Sequence, residues 1–310
     1  MNTFELYFAA ALLAATPLLL AATGEMLGET LGLLNVGIEG LMLMGAVVGV
    51  IVTLKTDSPE LGLLLGALAG AAFLLVTYAV PVVLLGCEQV LPGFAVWFIG
   101  LGLSQQLGNA FENTTVNSQS TIVGLPGIDR IPVVKEMIGH FPWPVYFAFV
   151  LPFVVAWMLS HTQHGRDLRA IGENPIAAAA GAGIAVRAWR VFYVGVNGLL
   201  GGLAGAVLAV ISVGAWGPDV TAGRGFIALA VVLFSGWRPL RLIVGAYIFG
   251  GLLILVELGG ALVWPVSSDF LGMVPYLGAV LILILWSLRG RRYGGSAAPS
   301  SLGLRVAQRR

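Results

Sequence analysis

The chain has 310 residues, of which 58% are hydrophobic, 10% are charged and 43 are glycine, with a mean hydropathy of +0.95. An ordinary soluble domain is about half apolar and about a quarter charged, so a soluble fold is excluded and an all-α, polytopic membrane bundle is expected. The formal net charge of +1 says nothing about nucleic acid, but no basic run interleaves with aromatics and no nucleic-acid partner is expected; the lone cysteine, Cys87, excludes an internal disulfide or a multi-cysteine metal site.

The first apolar run lies near 5–23. It opens with Glu5 and no Lys or Arg, so it lacks the positive start of a cleavable signal. Further runs of roughly 17–25 apolar residues follow near 37–54, 61–86, 91–108, 143–160, 191–213, 239–258 and 272–289. The run 225–236 (GFIALAVVLFSG) has 12 residues. At 1.5 Å per residue it falls short of a hydrocarbon core ~30 Å thick, so it is re-entrant or shielded by neighbouring helices. The expectation is therefore eight full spans and one short helix. Residues 1–289 form a single membrane domain, and 290–310 (GRRYGGSAAPSSLGLRVAQRR) form a basic, disordered tail near anionic headgroups. Small residues four apart, such as Gly45 and Gly49, Gly62, Gly66 and Gly70, and Gly198 and Gly202, predict close helix contacts.

Basic residues set the orientation. Arg166, Arg169, Arg187 and Arg190 lie in one loop, Arg238 and Arg241 in another. With the six arginines from Arg289 onward, these segments hold twelve of the sixteen Lys and Arg. They are expected in the cytoplasm, with the C-terminus inside and the N-terminus outside. The loop 109–142 then faces outward, and its Asn113-Thr114-Thr115 fits a glycosylation sequon.

Two stretches concentrate polar groups. The first is 24–40 (GEMLGETLGLLNVGIEG), with Glu25, Glu29, Asn35 and Glu39 among Gly24, Gly28, Gly32, Gly37 and Gly40. Glycine at that density weakens a helix and frees backbone groups. Irregular backbone survives in a membrane only when packed in protein or lining water. Asn35 and Glu39 are therefore expected to bond freed amides of a broken helix; a structural knot, a ligand contact and a cytoplasmic interface all stay open for Glu39. The second stretch is 161–190. There Asn174-Pro175 reads as a helix cap and first helical residue, followed by a short helix that Gly181 and Gly183 end. A short apolar helix in the largest cytoplasmic loop suits docking onto a soluble partner.

Catalytic patterns are missing. Neither Lys55 nor Lys135 follows a glycine, so no P-loop exists, and there is no HExxH or GxSxG. His161 and His164 have no carboxylate or thiol cluster around them and read as interfacial polar residues. No enzyme, metal or cofactor is expected.

The residues 15–46 (ATPLLLAATGEMLGETLGLLNVGIEGLMLMGA), 164–186 (HGRDLRAIGENPIAAAAGAGIAV) and 221–239 (TAGRGFIALAVVLFSGWRP), with weaker matches at 88–95 (EQVLPGFA) and 126–132, carry a resemblance. The chain resembles the permease subunits of bacterial ABC importers for nucleosides and simple sugars, within the branched-chain amino acid and ribose permease group. The resemblance implies alternating access driven by a separate ATP-binding subunit, a second homologous permease subunit, and an extracytoplasmic substrate-binding lipoprotein, all at the cell membrane among its lipids. It also implies that Asn35, Gly37, Glu39, Gly40, Glu88 and Gln89 border the translocation path. Gly165, Arg166, Asp167, Arg169, Glu173, Asn174, Pro175, Ile176, Ala177 and Ala178 would form the element that couples to the ATPase, with Ile176, Ala177 and Ala178 seated in it. The chain departs from the family at Gly28-Glu29-Thr30, where Ser-Glu-Arg is usual, so Glu29 lacks the expected charge partner. Nucleosides are the leading substrate class, ahead of simple sugars and branched-chain amino acids. A self-sufficient secondary transporter also uses broken helices, but inverted repeats and a relay of intramembrane acids are not evident.

Overall fold

The computed structural model describes residues 3–112, 114–116, 122–124, 140–261 and 298–305, with scattered positions between 270 and 284. The helices, in chain order, are α1 (Thr3–Thr30), α2 (Ile38–Thr56), α3 (Pro59–Leu74), α4 (Val90–Gly108), α5 (Trp143–His161), α6 (Gln163–Glu173), α7 (Pro175–Ala182), α8 (Val186–Ala206), α9 (Arg224–Ser235) and α10 (Pro239–Ala261). α3 and α8 continue as wider π-helical turns, Leu75–Leu84 and Val207–Val213. Two short antiparallel strands, β1 (Ile122–Gly124) and β2 (His140–Pro142), lie within the connection between α4 and α5.

Among the described residues seven helices are long and apolar enough to cross a membrane: Leu6–Thr30, Ile38–Thr56, Pro59–Leu84, Val90–Phe111, Trp143–His161, Val186–Val213 and Pro239–Leu258. The chain is an all-α polytopic bundle, and α9 is the short apolar helix beside them. The sequon at Asn113, the segment 126–132, most of the eighth run, and residues 285–297 and 306–310 of the C-terminal region lie outside the described residues.

Apolar area gives no net drive between helices in lipid, so close packing must supply it. Glycine makes that possible where α2, α3 and α8 cross. A Cβ on Gly202 would stand 2.6 Å from the Gly66 carbonyl oxygen and 2.8 Å from the Gly70 Cα. A Cβ on Gly205 would meet the backbone of Met42. The buried core runs through this crossing, from Leu41, Met42 and Leu63 to Ala204 and Val207.

The structure corrects three expectations. Helix α1 is continuous to Thr30, so Gly24 and Gly28 do not break it. They lie where α8 approaches, within 3.0–3.4 Å of Leu200 and Asn197 for an added Cβ. The break is confined to residues 31–37. The segment 161–190 is a pair of helices, α6 and α7, rather than a loop bearing one. Finally, residues 298–305, read from sequence as part of a disordered tail, pack against the bundle: the Ser301 amide donates to the Gly172 carbonyl at 2.9 Å.

Candidate functional site at the helix break

The end of α1, the end of α6 and residues 299–301 meet on one face of the bundle, at a cleft that Arg169, Arg238 and Arg241 also line. From that face the break climbs back inward. Gln89, just before α4, bonds to Gly32 and Leu34, whereas Gly37 lies against Gly93 and Val96, and Gly40 against Trp97 and Gly100. The chain from 32 to 40 thus follows the first turns of α4 to a depth of about 15 Å, at 1.5 Å per residue.

Gly32, at φ 86°, ends α1. The Leu33 amide reaches the Gly28 carbonyl at 3.0 Å and the Gly32 amide the Glu29 carbonyl at 2.8 Å, the paired bonds of a glycine C-cap. Beyond it, polar side chains satisfy the freed backbone. Gln89 Oε1 accepts from the Leu34 amide at 2.7 Å, and its Nε2 donates to the Gly32 carbonyl at 3.1 Å. The Tyr78 hydroxyl donates to the Leu34 carbonyl at 2.6 Å. Glu25 Oε1 accepts from the Asn35 amide at 2.9 Å, and Asn35 Oδ1 from the Gly37 amide at 3.0 Å. Glu25 Oε2 also accepts from Asn197 Nδ2 of α8 at 2.7 Å. Buried backbone left unpaired at this depth would cost several kcal/mol per group, which is why the segment needs buried carboxylates and amides. Two polar atoms beside Glu25, Asn35 Nδ2 and Asn197 Oδ1, are buried without a protein partner.

Glu39 does something different from the role its neighbourhood suggested. Its carboxylate does not bond the amides of its own segment. Oε1 accepts from the Thr221 hydroxyl at 2.6 Å and the Gly223 amide at 2.7 Å, and Oε2 from the Gly225 amide at 2.7 Å. Thr221 leads into α9, Gly223 is its N-cap and Gly225 lies in its first turn, where the leading N–H groups have no helical acceptors and carry partial positive charge. Glu39 therefore caps a half-helix that begins inside the bundle. The approach is close: a Cβ on Gly225 would sit 2.6 Å from the Glu39 backbone. At the far end of α9 the Trp237 indole donates to Glu29 Oε2 at 2.6 Å. So the residue lacking its family charge partner is met by an indole N–H.

Glu88 is apart from this cluster. It caps α4, accepting from the Val90 and Leu91 amides at 3.1 and 3.3 Å. Gln89 Nε2 also donates to the Leu304 carbonyl at 2.6 Å, joining residues 298–305 to the break.

In the second polar stretch, Thr162 caps α6 by accepting from the Gly165 amide at 3.1 Å. Gly165 is buried against Leu159, and Leu168 and Ile171 anchor α6 in the core. Arg169 donates to the Leu159 carbonyl at 2.5 Å, and Glu173 accepts from Ser300 at 2.6 Å. Asn174 Oδ1 accepts from the Ala177 amide at 3.0 Å, Pro175 opens α7, and Gly183 closes it at φ 65°. Arg166, Asn174 and Ala177 are exposed, and Asp167 and Pro175 half-buried. Ile176 is 59% exposed but Ala178 only 6%. Ala178 faces its own chain, which removes it from the expected docking surface: a helix this short shows one face outward, and Ile176 and Ala177 hold it. His164 bonds to the Tyr193 hydroxyl at 2.8 Å and packs on Trp189. Among the described residues no three His, Cys, Asp or Glu side chains converge to hold a metal ion.

Tyr78, Asn197, Thr221 and Trp237 belong to the site and went unread in the sequence. Each is separated from its partner by 44 to 208 positions, and only the Thr221 and Trp237 segment carried a signal, through its family-like motif.

The chain matches the sequence model of the branched-chain amino acid transport system permease component over residues 7–285. It is 32% identical to the nucleoside ABC transporter permease protein NupC of Lactococcus lactis subsp. cremoris, over 98% of this chain and 97% of that one. It is 36% identical to the putative glucose ABC transporter permease protein TsgC13 of Haloferax volcanii, over 78% and 76%. Identity to the guanosine ABC transporter permease protein NupQ of Bacillus subtilis is 31%, over 88% and 89%.

Proposed function

Because the chain belongs to the branched-chain amino acid transport system permease family, we propose that it is the membrane subunit of an ABC importer for nucleosides, moving them inward on ATP hydrolysed by a separate subunit. The observation that supports this best is the near end-to-end likeness to permeases named for nucleoside and guanosine transport. The likeness to a relative named for glucose favours a simple sugar as the second reading.

On this reading the chain is a multi-pass protein of the cell membrane, with its arginine-bearing face and C-terminus in the cytoplasm and its N-terminus outside. It pairs with a second homologous permease, an ATP-binding subunit and an extracytoplasmic binding protein. The break formed by Asn35, Gly37, Glu39 and Gly40, with Gln89, borders the path, and Glu88 supports it by fixing the start of α4. Asn35 Nδ2 and Asn197 Oδ1 offer one donor and one acceptor, the pair that a ribose hydroxyl or a base edge can use. Asn174 and Pro175 stiffen α7, which presents Ile176 and Ala177 to the ATPase. Arg166 and Asp167 orient that contact, and Gly165, Arg169 and Glu173 fix α6 beneath it.

The test is reconstitution. The chain, a partner permease and an ATP-binding subunit are placed in proteoliposomes, with a binding protein outside and ATP in the lumen. Labelled nucleoside should accumulate only when all are present, and excess glucose should not compete. Uptake by this chain alone, driven by an ion gradient, would replace the ABC reading with a secondary transporter.

A further inference from the structure

Helix α9 is flanked by a left-handed pair at each end: Ala222 and Gly223 before it, at φ 44° and 75°, and Gly236 and Trp237 after it, at φ 60° and 57°. Left-handed backbone is disfavoured for any residue with a Cβ and persists only where the surroundings hold it. Ala222 and Trp237 are therefore strained, and the two ends are held unequally. At the Gly223 end three donors converge on Glu39, the Tyr276 hydroxyl donates to the Ala222 carbonyl at 3.0 Å, and Arg224 meets Glu257 at 3.2 Å. At the other end the Gly236 and Arg238 amides bond within the turn, to the Leu233 and Ser235 carbonyls, and the Trp237 indole donates its one N–H to Glu29 at 2.6 Å. That end also borders a cleft of about 520 Å³, whose walls include Thr30, Arg169, Gly236, Trp237 and Pro299.

We propose that α9 is a gate helix. It pivots about the turn held by Glu39, and its Trp237 end swings into the cleft when the Glu29–Trp237 bond opens, relieving the strain at Trp237. Glu29 and Trp237 are thereby positioning residues of the transport cycle. The inference rests on the permease reading for the meaning of the swing, because Glu29 ends the last turn of α1 beside the break, on the face where the ATPase would act. The pivot cannot slide freely: the close approach of Gly225 to the Glu39 backbone ties the start of α9 to the start of α2.

The test uses the assembled importer in proteoliposomes and the variants Trp237→Phe, Glu29→Ala, Glu29→Gln and Trp237→Phe with Glu29→Ala. Two quantities are read: hydrogen exchange over residues 221–226 and 235–241, and substrate moved per ATP hydrolysed. Trp237→Phe and Glu29→Ala should raise exchange over 235–241 about tenfold, the factor carried by one buried hydrogen bond, and leave 221–226 unchanged. Substrate per ATP should fall at unchanged KM. Glu29→Gln keeps an acceptor oxygen and should retain wild-type values, and the double variant should be no worse than either single one. Exchange that stays at the wild-type level in Trp237→Phe, or rises equally at both ends of α9, overturns the gate, as does an additive double variant. Should Glu29→Ala fail to accumulate, Trp237→Phe, which keeps an aromatic ring in place, decides alone. The exchange measurement needs no transport, so a wild-type complex that moves no substrate would count against the permease reading and still leave the gate decided.

Discussion

Removing the Glu39 carboxylate is the sharpest perturbation the structure offers. Its two oxygens satisfy the Thr221 hydroxyl and the Gly223 and Gly225 amides at 2.6–2.7 Å, and Glu39 is 5% exposed. Glu39→Ala leaves three donors without acceptors, the Thr221 hydroxyl and Gly225 amide buried and the Gly223 amide half-buried. At about 1–3 kcal/mol for each such group, the loss is on the order of 3–9 kcal/mol before relaxation, against a whole-domain stability of about 5–15 kcal/mol. The alanine variant should therefore accumulate poorly or melt well below wild type in detergent, with little uptake. Glu39→Gln keeps one oxygen, which can still serve Thr221 and Gly223 while its amide opposes the Gly225 N–H. Only one of the three bonds is lost, about 1–3 kcal/mol, so this variant should insert and assemble while transporting more slowly. The assay is expression level and melting temperature by size-exclusion chromatography, followed by nucleoside uptake. A Glu39→Ala protein that accumulates, melts and transports like wild type would refute the capping argument outright.

Three further expectations concern other parts of the chain. Ile176→Asp places a charge on the exposed face of α7 and should abolish co-purification with the ATPase while leaving the permease inserted; Ala178→Asp, at a buried position, should lower the amount of folded protein, because its carboxylate must be desolvated. Gly202→Ala forces a Cβ to 2.6 Å from the Gly66 carbonyl oxygen and should destabilise by about 1–3 kcal/mol or more as overpacking, whereas Gly181→Ala, with nothing within 4 Å, should be silent in the same melt. The isolated chain, lacking a phosphate-binding loop, should neither bind nor hydrolyse ATP; hydrolysis that a point substitution in this chain removes would contradict the division of labour with an ATPase subunit.

The bundle was legible because lipid makes one demand on every span, a run of apolar residues, and composition records it directly. The cap at Asn174-Pro175 was legible for a similar reason: its bonds close within three residues, so the spacing holds the whole arrangement. The break was half legible. Glycine density announced weakened helix over 24–40, but pattern alone could not show that Gly24 and Gly28 serve helix contact with α8 while Gly32 alone takes left-handed backbone. Asn35 accepts from an amide two residues away, a bond short enough in sequence for local spacing to announce. The bonds of Glu39 are illegible for the opposite reason. Its donors lie 182 to 186 positions on, and nothing near Glu39 records that a half-helix begins beside it.

The tail follows the same logic from the other side. Its composition is that of a segment unable to bury enough apolar surface to order itself. Yet residues 298–305 are ordered by acceptors and donors that other segments supply: the Gly172 carbonyl and Glu173 at the end of α6, and Gln89 beside the break. Gln89 is the informative member. Its oxygen takes the Leu34 amide, and its amide group serves the Gly32 and Leu304 carbonyls, so one side chain joins the break, the start of α4 and the C-terminal segment. Contacts therefore run from the end of α6 to the break through Ser301 and Leu304. Composition describes what a segment can do alone; the order of this one is a property of the surface that receives it.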